Sequence, residues 1–447
     1  MLKDPGPTQH ELEMVTLEEL VPSDHLLRRI DAIIDFSFIR DETRHLYCED
    51  NGRPALDPVL LFKALFIGYL FGIRSERQLV RELQVNVAYR WFLGLRLTDK
   101  VPDASTFSQN RRRRFRDSDI AQRLFDHVVE QAMQQGLVGG RVLYTDSTHI
   151  KANANRRRFT MQEVETTPQA YLAELEEAVV ADREAHGKKP LPPRREAEPE
   201  PTAKKISDTD PDSGYMVREG KPKGFFYLDH RTVDGRHAII TDVHITPASV
   251  HDSVPYLERL DRQRRRFGFD VAAVGLDAGY FTAAICQGLE KRQLYGVIGY
   301  CRPSKPKGMM PKRLFVYDAD QDGYRCPEGQ TLRYATTNRE GYRHYHSDPV
   351  WCRECPRLAT CTRNQHYRKT VTRHVWEDAK ERVGSRRLEP VGKRIYERRK
   401  ETVERSFADA KQLHGYRYAR MRGIAGMREQ ALLCAAAQNL KKMALAA

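Results

Sequence analysis

The hydrophobic period of the sequence changes at Gly140, and this change constrains the fold more than any other feature. Residues 1–135 have a helical pattern, including the apolar run that follows Asp57-Pro58. After Gly140 come three strand patterns, RVLYTDSTHIKA, KGFFYLDHRTVD and HAIITDVHITPA, and then alternating helix and strand patterns as far as YGVIGY. This order predicts an α/β fold with a mixed sheet flanked by helices.

Two segments interrupt the predicted sheet. Residues 140–300 form the first part of the core, with an excursion at about 160–212 that carries an Ala/Glu helix followed by KKPLPPRREAEPEPTAKK. Prolines and mixed charges bury little apolar surface, so we expect this excursion to be disordered. Residues 301–394 form a Cys-rich inserted subdomain, and residues 395–447 return to helix and complete the core.

The charge of the chain favours a polyanionic partner. Lys and Arg number 75 against 61 Asp and Glu, a net charge of +14. The N-terminal helical domain contains the run Arg111, Arg112, Arg113 and Arg114, which predicts DNA binding, although a solvated basic helix face is the alternative. The longest apolar stretch is too short to span a bilayer and no signal peptide is evident, so we expect a cytoplasmic, nucleoid-associated protein.

Three acidic residues occupy positions from which the sheet could bring them to one edge. Asp146 lies within LYTDSTHI, Asp277 ends the apolar strand pattern AAVGLDAGYF, and Glu404 lies on a late helix. The alternative for Asp146 is a capping or turn aspartate and that for Asp277 is a satisfied acid at a strand end, and Glu397 and Glu401 compete with Glu404. His251 and Asp252 form a nearby pair that could position substrate or water. The alternative is that Asp252 is the N-cap of the helix that begins with DSVPYLERL.

Three carboxylates that converge need positive charge between them, and Mg²⁺ or Mn²⁺ is the best match for oxygen ligands. Two such ions can activate a nucleophile and stabilise a leaving oxygen during phosphoryl transfer. A surplus of Lys and Arg between Arg386 and Arg428 surrounds the third acid and favours contact with a phosphate backbone.

These motifs resemble those of the bacterial insertion-sequence DDE transposases, in particular the insertion-sequence 1182 branch of the insertion-sequence 4/5 group. YTDSTHIKAN and VGLDAGYF resemble the two Asp blocks. The Glu block of that group is Tyr, two residues, Arg, three residues, Glu, six residues, Lys. Here Glu404 and Lys411 are in register, Lys400 takes the Arg place, and Tyr396 stands one residue early.

The resemblance implies a ribonuclease H-like catalytic core in which Asp146, Asp277 and Glu404 bind two Mg²⁺ ions. Water would cleave double-stranded DNA at each transposon end, and the freed 3′-hydroxyl would attack target DNA. Lys400 and Lys411 would contact backbone phosphates, and a homodimer would pair the ends. Two other functions stay open: a non-catalytic DNA-binding protein derived from a transposase, and a stand-alone metal-dependent nuclease.

Four cysteines cluster in the inserted subdomain: Cys326, Cys352, Cys355 and Cys361. A Cys-x-x-Cys pair suits a tetrahedral ion, so the cluster predicts a structural Zn²⁺ site. Unliganded thiols and a redox pair are the alternatives. The long gap after the first cysteine leaves open whether a histidine replaces it, the candidates being His344, His346 and His366.

Overall fold

The computed structural model describes residues 13–48, 55–115, 118–164, 171–192, 202–217, 222–300 and 308–446. The α-helices in these ranges are α1 Leu17–Leu20, α2 Leu26–Ile33, α3 Phe38–Thr43, α4 Pro58–Leu70, α5 Glu76–Val85, α6 Val87–Phe92, α7 Ala104–Asn110, α8 Ile120–Gln134, α9 Leu172–Ala185, α10 Tyr256–Phe267, α11 Ala283–Lys291, α12 Pro349–Arg353, α13 Leu358–Cys361, α14 Glu377–Arg386, α15 Pro390–Glu397, α16 Arg405–Leu413 and α17 Ile424–Ala446. Two π-helical turns, Arg111–Phe115 and Lys400–Glu404, follow α7 and precede α16.

The β-strands in the same ranges are β1 Val142–Lys151, β2 Phe159–Val164, β3 Thr202–Ser207, β4 Gly214–Met216, β5 Gly224–Asp234, β6 Ile240–Pro247, β7 Ala273–Leu276, β8 Tyr295–Ile298, β9 Val316–Asp318, β10 Gly323–Arg325, β11 Thr331–Thr337, β12 Tyr342–His346 and β13 Thr370–His374. They form a six-stranded mixed sheet, a five-stranded antiparallel sheet and the two-stranded pair of β2 and β3. The chain is therefore a mixed α/β protein.

The six-stranded sheet places β1 at its centre. The strand β5 pairs with β1 antiparallel, and both β6 and β4 pair with β5 on its other side. On the opposite side of β1, β7 and then β8 pair in parallel. All four residues of β7 are buried, as expected for a parallel strand covered on both faces. The order across the sheet is thus β6, β5, β1, β7, β8.

The N-terminal helices and the sheet share one hydrophobic core. Residues from α2, α4, α8 and β7 belong to the same cluster of buried side chains, as does most of α17. The helix α17 packs against α8, α4 and β6, and the Asn439 amide exchanges two 2.8 Å hydrogen bonds with the backbone of Ile240. The C-terminal helix therefore joins the N-terminal helices to the sheet.

The prediction of disorder at about 160–212 is wrong for the described residues of that segment. The helix α9 buries Leu175 and Val179 against Trp376. On the same helix, Asp182 accepts hydrogen bonds of 2.6 Å from Thr337 Oγ1 and 2.7 Å from Arg343 Nε. The apolar side of α9 thus has a partner that is distant in sequence, and composition alone does not reveal it. The proline-rich residues 193–201 lie outside the described residues.

The five-stranded sheet has strand order β13, β12, β11, β10, β9 and lies between the second aspartate and the late glutamate in sequence. Its side chains form a separate small core that consists of Phe315, Tyr324, Leu332, Tyr345 and Val371. The four clustered cysteines are all in this part of the chain, two of them packed against that core.

Candidate active site

Two of the predicted carboxylates come from neighbouring parallel strands. Asp146 lies within β1, and Asp277 follows the last residue of β7. The residue before each is paired in the sheet, Thr145 with Leu276, so the register places both aspartates side by side. Because β1 is central and β7 is fully buried, both positions are well defined by the sheet.

Glu404 reaches the same place through a π-helical turn. The turn packs against β1 and β5, and Val403 within it is completely buried. The Glu404 backbone N–H donates to the carbonyl oxygen of Arg399, five residues earlier, at 3.1 Å. A π turn holds one residue more than an α turn, so it brings Arg399 and Glu404 onto the same side of the helix.

One buried arginine joins the three carboxylates. The Arg399 guanidinium lies 2.8 Å from Asp146 Oδ2, 3.6 Å from Asp277 Oδ1 and 3.7 Å from Glu404 Oε1. Its side chain is 3% exposed, whereas those of Asp277 and Glu404 are about half exposed. The three acids, far apart in sequence, therefore meet at one positive charge.

The sequence interpretation placed Lys400 in the Arg position of the Glu block, and this assignment is wrong in register. Arg399 faces the carboxylates, and Lys400 is exposed. The signal was present in the sequence: Tyr396, two residues and Arg399 keep the expected spacing, and the π turn absorbs the one extra residue before Glu404. Such insertions within helices are frequent at functional sites.

Burial dominates the electrostatics of the first aspartate. It raises the pKa of Asp146 to about 6, although Arg399 and the Ser147 N–H oppose this rise. The negative charges of Asp277 and Asp252 raise the same pKa further. Asp252 Oδ1 accepts a 2.7 Å hydrogen bond from Ser147 Oγ, so a fourth carboxylate stands next to the trio. It is not the N-cap of α10, which is Pro255.

Lys411, seven residues after Glu404 on α16, lies beside the same strand. Its Nζ donates a 2.6 Å hydrogen bond to Thr148 Oγ1, two residues beyond Asp146 on β1. Arg231 Nη1 on β5 donates to Ser406 Oγ at 3.2 Å and also fixes α16 to the sheet. Polar contacts to both β1 and β5 thus hold the late helix on the sheet.

The four predicted DNA-binding arginines have different environments. Arg111 is held between Glu76 and Glu429, with N–O distances of 2.5 and 2.7 Å, and forms a largely buried ion triad. Two of the Arg111 nitrogens thus serve the fold, and its DNA contact stays a prediction. Arg114 donates to the Asn110 side chain and is half-buried. The remaining two, Arg112 and Arg113, are exposed.

The clustered cysteines line one cavity of about 270 Å³ in the inserted sheet, and no histidine is among its lining residues in the described part of the chain. Cys326 is therefore placed with the other three, Cys352, Cys355 and Cys361. Burial raises the pKa of the Cys361 thiol, and the other three thiols add to the rise. Cys352 Sγ donates to Ser347 Oγ at 3.2 Å.

Neither cluster is a finished metal site as it stands. Across the described ranges, no group of three or more His, Cys, Asp or Glu side chains is already arranged to hold a metal ion. The donor chemistry nevertheless fits: three carboxylates lie within 4 Å of one guanidinium, and carboxylate oxygens are ligands that hard divalent cations prefer. In the same described residues, no helix is long and apolar enough to cross a bilayer.

Two solved structures resemble the chain weakly. One is a piggyBac transposase synaptic complex with hairpin DNA, with 9% identity and a TM-score of 0.36, covering 94% of this chain and 75% of that chain. The other is a Mos1 transposase paired-end complex with the left transposon end, with 12% identity and a TM-score of 0.17, covering 56% of this chain and 61% of that chain. Both scores are too low to support an argument about the fold. No curated protein matches the chain.

Two family models match the sequence directly. Residues 15–113 match a transposase domain, DUF772, and residues 325–444 match a transposase DDE domain. The second match contains Arg399, Glu404 and Lys411, and Asp146 and Asp277 lie between the two matched ranges. A DDE domain implies dependence on a divalent metal ion. With a transposase domain before the sheet and a DDE domain after it, the chain is a DNA transposase of the DDE type.

Proposed function

We propose that Asp146, Asp277 and Glu404 are the metal-binding catalytic triad of this transposase, and that the ions are Mg²⁺. The convergence of all three carboxylates on Arg399 carries the proposal. The sheet order, with β5 antiparallel to its neighbours, supports a ribonuclease H-like core. The order of the motif blocks in the sequence supports membership of the insertion-sequence 1182 branch.

The reaction is phosphodiester hydrolysis at the transposon ends, followed by transfer of the 3′-hydroxyl ends into double-stranded target DNA. When bound, the metal ions activate the attacking oxygen and stabilise the leaving oxygen. The protein's own residues prepare the site. Arg399 holds three like charges together, the Ser147–Asp252 hydrogen bond steadies the strand next to Asp146, and Lys411 offers an ammonium to a phosphate beside Thr148.

The test is a plasmid assay with Mg²⁺ on DNA that carries the ends of the element. Asp277→Asn should abolish cleavage and leave DNA binding intact. The substitution removes the charge of one metal ligand, and because Asp277 is half exposed it leaves the packing of the hydrophobic core unchanged. Asp270→Asn is the matched control, since Asp270 is an exposed aspartate that pairs with Arg141 at 2.8 Å. Unchanged cleavage by Asp277→Asn would remove that residue from the mechanism.

The same assay separates the other two functions. Cleavage with end joining identifies a transposase that carries out both steps, whereas cleavage without joining identifies a nuclease. Binding without cleavage by the unaltered protein identifies a non-catalytic DNA-binding protein. Light scattering of the protein with and without end DNA tests the homodimer that pairing of two ends would require.

We also propose a structural Zn²⁺ at the four cysteines, supported by the single cavity that they line. Binding would draw the thiols together as thiolates and stabilise the small sheet. Purified protein should contain about one equivalent of zinc, lost in the double variant Cys352→Ser, Cys355→Ser and retained in Cys48→Ser, whose thiol is exposed and lies in the N-terminal helices. Metal analysis that finds no zinc would leave only unliganded thiols.

A further inference from the structure

A cationic cleft begins next to the candidate active site. Its volume is about 640 Å³, and its lining includes His149 and Lys411, which lie next to Thr148 in sequence and through a hydrogen bond, respectively. Five basic residues line it: Lys151, Arg156, Lys223, Lys411 and Arg417. No Asp or Glu is among its described lining residues. All of these cations except Lys411, which is half-buried, are exposed to solvent.

The strand β1 connects the cleft to the carboxylates. Asp146 lies near its middle, and Thr148, two residues later on the same face, accepts the hydrogen bond from Lys411, which lines the cleft. Lys151 ends the strand five residues after Asp146, a separation of roughly 16 Å at about 3.3 Å per residue. The Ala419 N–H donates to the Lys151 carbonyl oxygen at 2.8 Å, so the far wall of the cleft is fixed to the same strand.

A second cavity of about 640 Å³, beside the π turn Arg111–Phe115, is a poorer match for a phosphate backbone. Its lining includes Asp119 and Glu429, and Arg111 within it is already paired with two glutamates. Among the described lining residues, the cleft along β1 therefore has more basic side chains and fewer carboxylates than this second cavity. A groove that is lined by positive charge attracts an anionic chain such as DNA.

We propose that this cleft binds the sugar–phosphate backbone of the DNA strand that runs away from the scissile phosphate. This inference rests on the proposed function. Tyr418 stands at the rim with its side chain 53% exposed, and the Lys151 ammonium is 5.8 Å from its ring centroid. The ring gives the strand a flat apolar surface between the cations, a combination that suits nucleic-acid strands.

The test uses the full-length double variant Lys223→Gln, Arg417→Gln and leaves Lys411 untouched. The probe is a 30-base-pair duplex, titrated at several salt concentrations. If both residues contact phosphates, the slope of log K against log salt should become shallower by about 1.8. The matched control is Arg141→Gln, Lys291→Gln, which removes the same net charge from exposed residues outside the cleft. The control should change the slope by much less.

Equal slopes for the two double variants would overturn the inference, because the effect would then be one of net charge alone. Thermal unfolding of each variant is compared first, so that a loss of fold is recognised. The plasmid assay distinguishes this inference from the proposed function. If the unaltered protein cleaves DNA and the cleft variant keeps its slope, the cleft proposal fails alone; if the slope changes but no cleavage occurs, the proposed function fails alone.

Discussion

Replacing Arg399 by methionine should destabilise the metal-free protein by about 3 kcal/mol, and most of this loss should come from one partner. The Arg399 side chain is 3% exposed and that of Asp146 is 20% exposed, with 2.8 Å between their charged atoms. Removing one member of such a buried pair leaves an uncompensated charge, which costs about 3–5 kcal/mol. Asp277 and Glu404 are half exposed and 3.6–3.7 Å away, so each pair should contribute about 1 kcal/mol or less.

A double-mutant cycle measures this difference. Free energies of unfolding are obtained by urea titration with a chelator present, for Arg399→Met, Asp146→Asn and the double variant. We expect a coupling energy of about 2 kcal/mol between Arg399 and Asp146, and below about 1 kcal/mol in the parallel cycle with Asp277→Asn. The asparagines keep the size of the aspartates, so the cycle removes charge and leaves packing nearly unchanged.

Added Mg²⁺ provides an independent measurement. A ligand that binds the folded state raises its stability according to its concentration and affinity. Without the guanidinium, the three carboxylates repel one another with no cation between them, so Mg²⁺ should raise the unfolding midpoint of Arg399→Met more than that of the unaltered protein. Equal coupling energies for Asp146 and Asp277, or equal Mg²⁺ responses of the two proteins, would refute the reasoning from distance and burial.

Other predictions concern the rest of the fold. Arg111→Met should destabilise the protein by about 3 kcal/mol, because it breaks a buried triad with two glutamates, whereas Arg112→Met should change stability by less than about 0.5 kcal/mol; urea unfolding of both variants checks this. Burial raises the pKa of Asp126 to about 6 from 3.8, so the folded state loses this proton at higher pH than the unfolded chain does, and stability should fall as the pH rises from about 4 to 6. Asp126→Asn should flatten that fall in thermal melts across this range, and Asp270→Asn, at an exposed site, should not; parallel profiles for the two variants would contradict the assignment.

Local patterns predicted main elements of the six-stranded sheet and of the N-terminal helices. The apolar run before Asp277 forms β7, buried in every residue, and the run after Asp57-Pro58 forms α4, with Asp57 accepting a 2.9 Å hydrogen bond from the Val59 N–H as N-cap. Both predictions succeed because a strand buried on both faces and a capped helix each produce a recognisable pattern within a few residues of sequence. The Ala/Glu composition predicted the helix α9, but its packing was missed because its partner, Trp376, is distant in sequence.

The sequence by itself determined that strands follow helices, that two aspartates lie within or directly after strand patterns, and that a glutamate stands seven residues before a lysine in the late basic region. Only the tertiary structure decided which cation meets those acids. Arg399 is 253 residues from Asp146 in sequence, and its direction depends on a π turn that is packed against β1 and β5. If the helix continued as an α-helix, Arg399 would point away from Glu404. Packing of the π turn on the sheet therefore decides that Arg399, and not Lys400, meets the carboxylates, and no local sequence pattern contains this information.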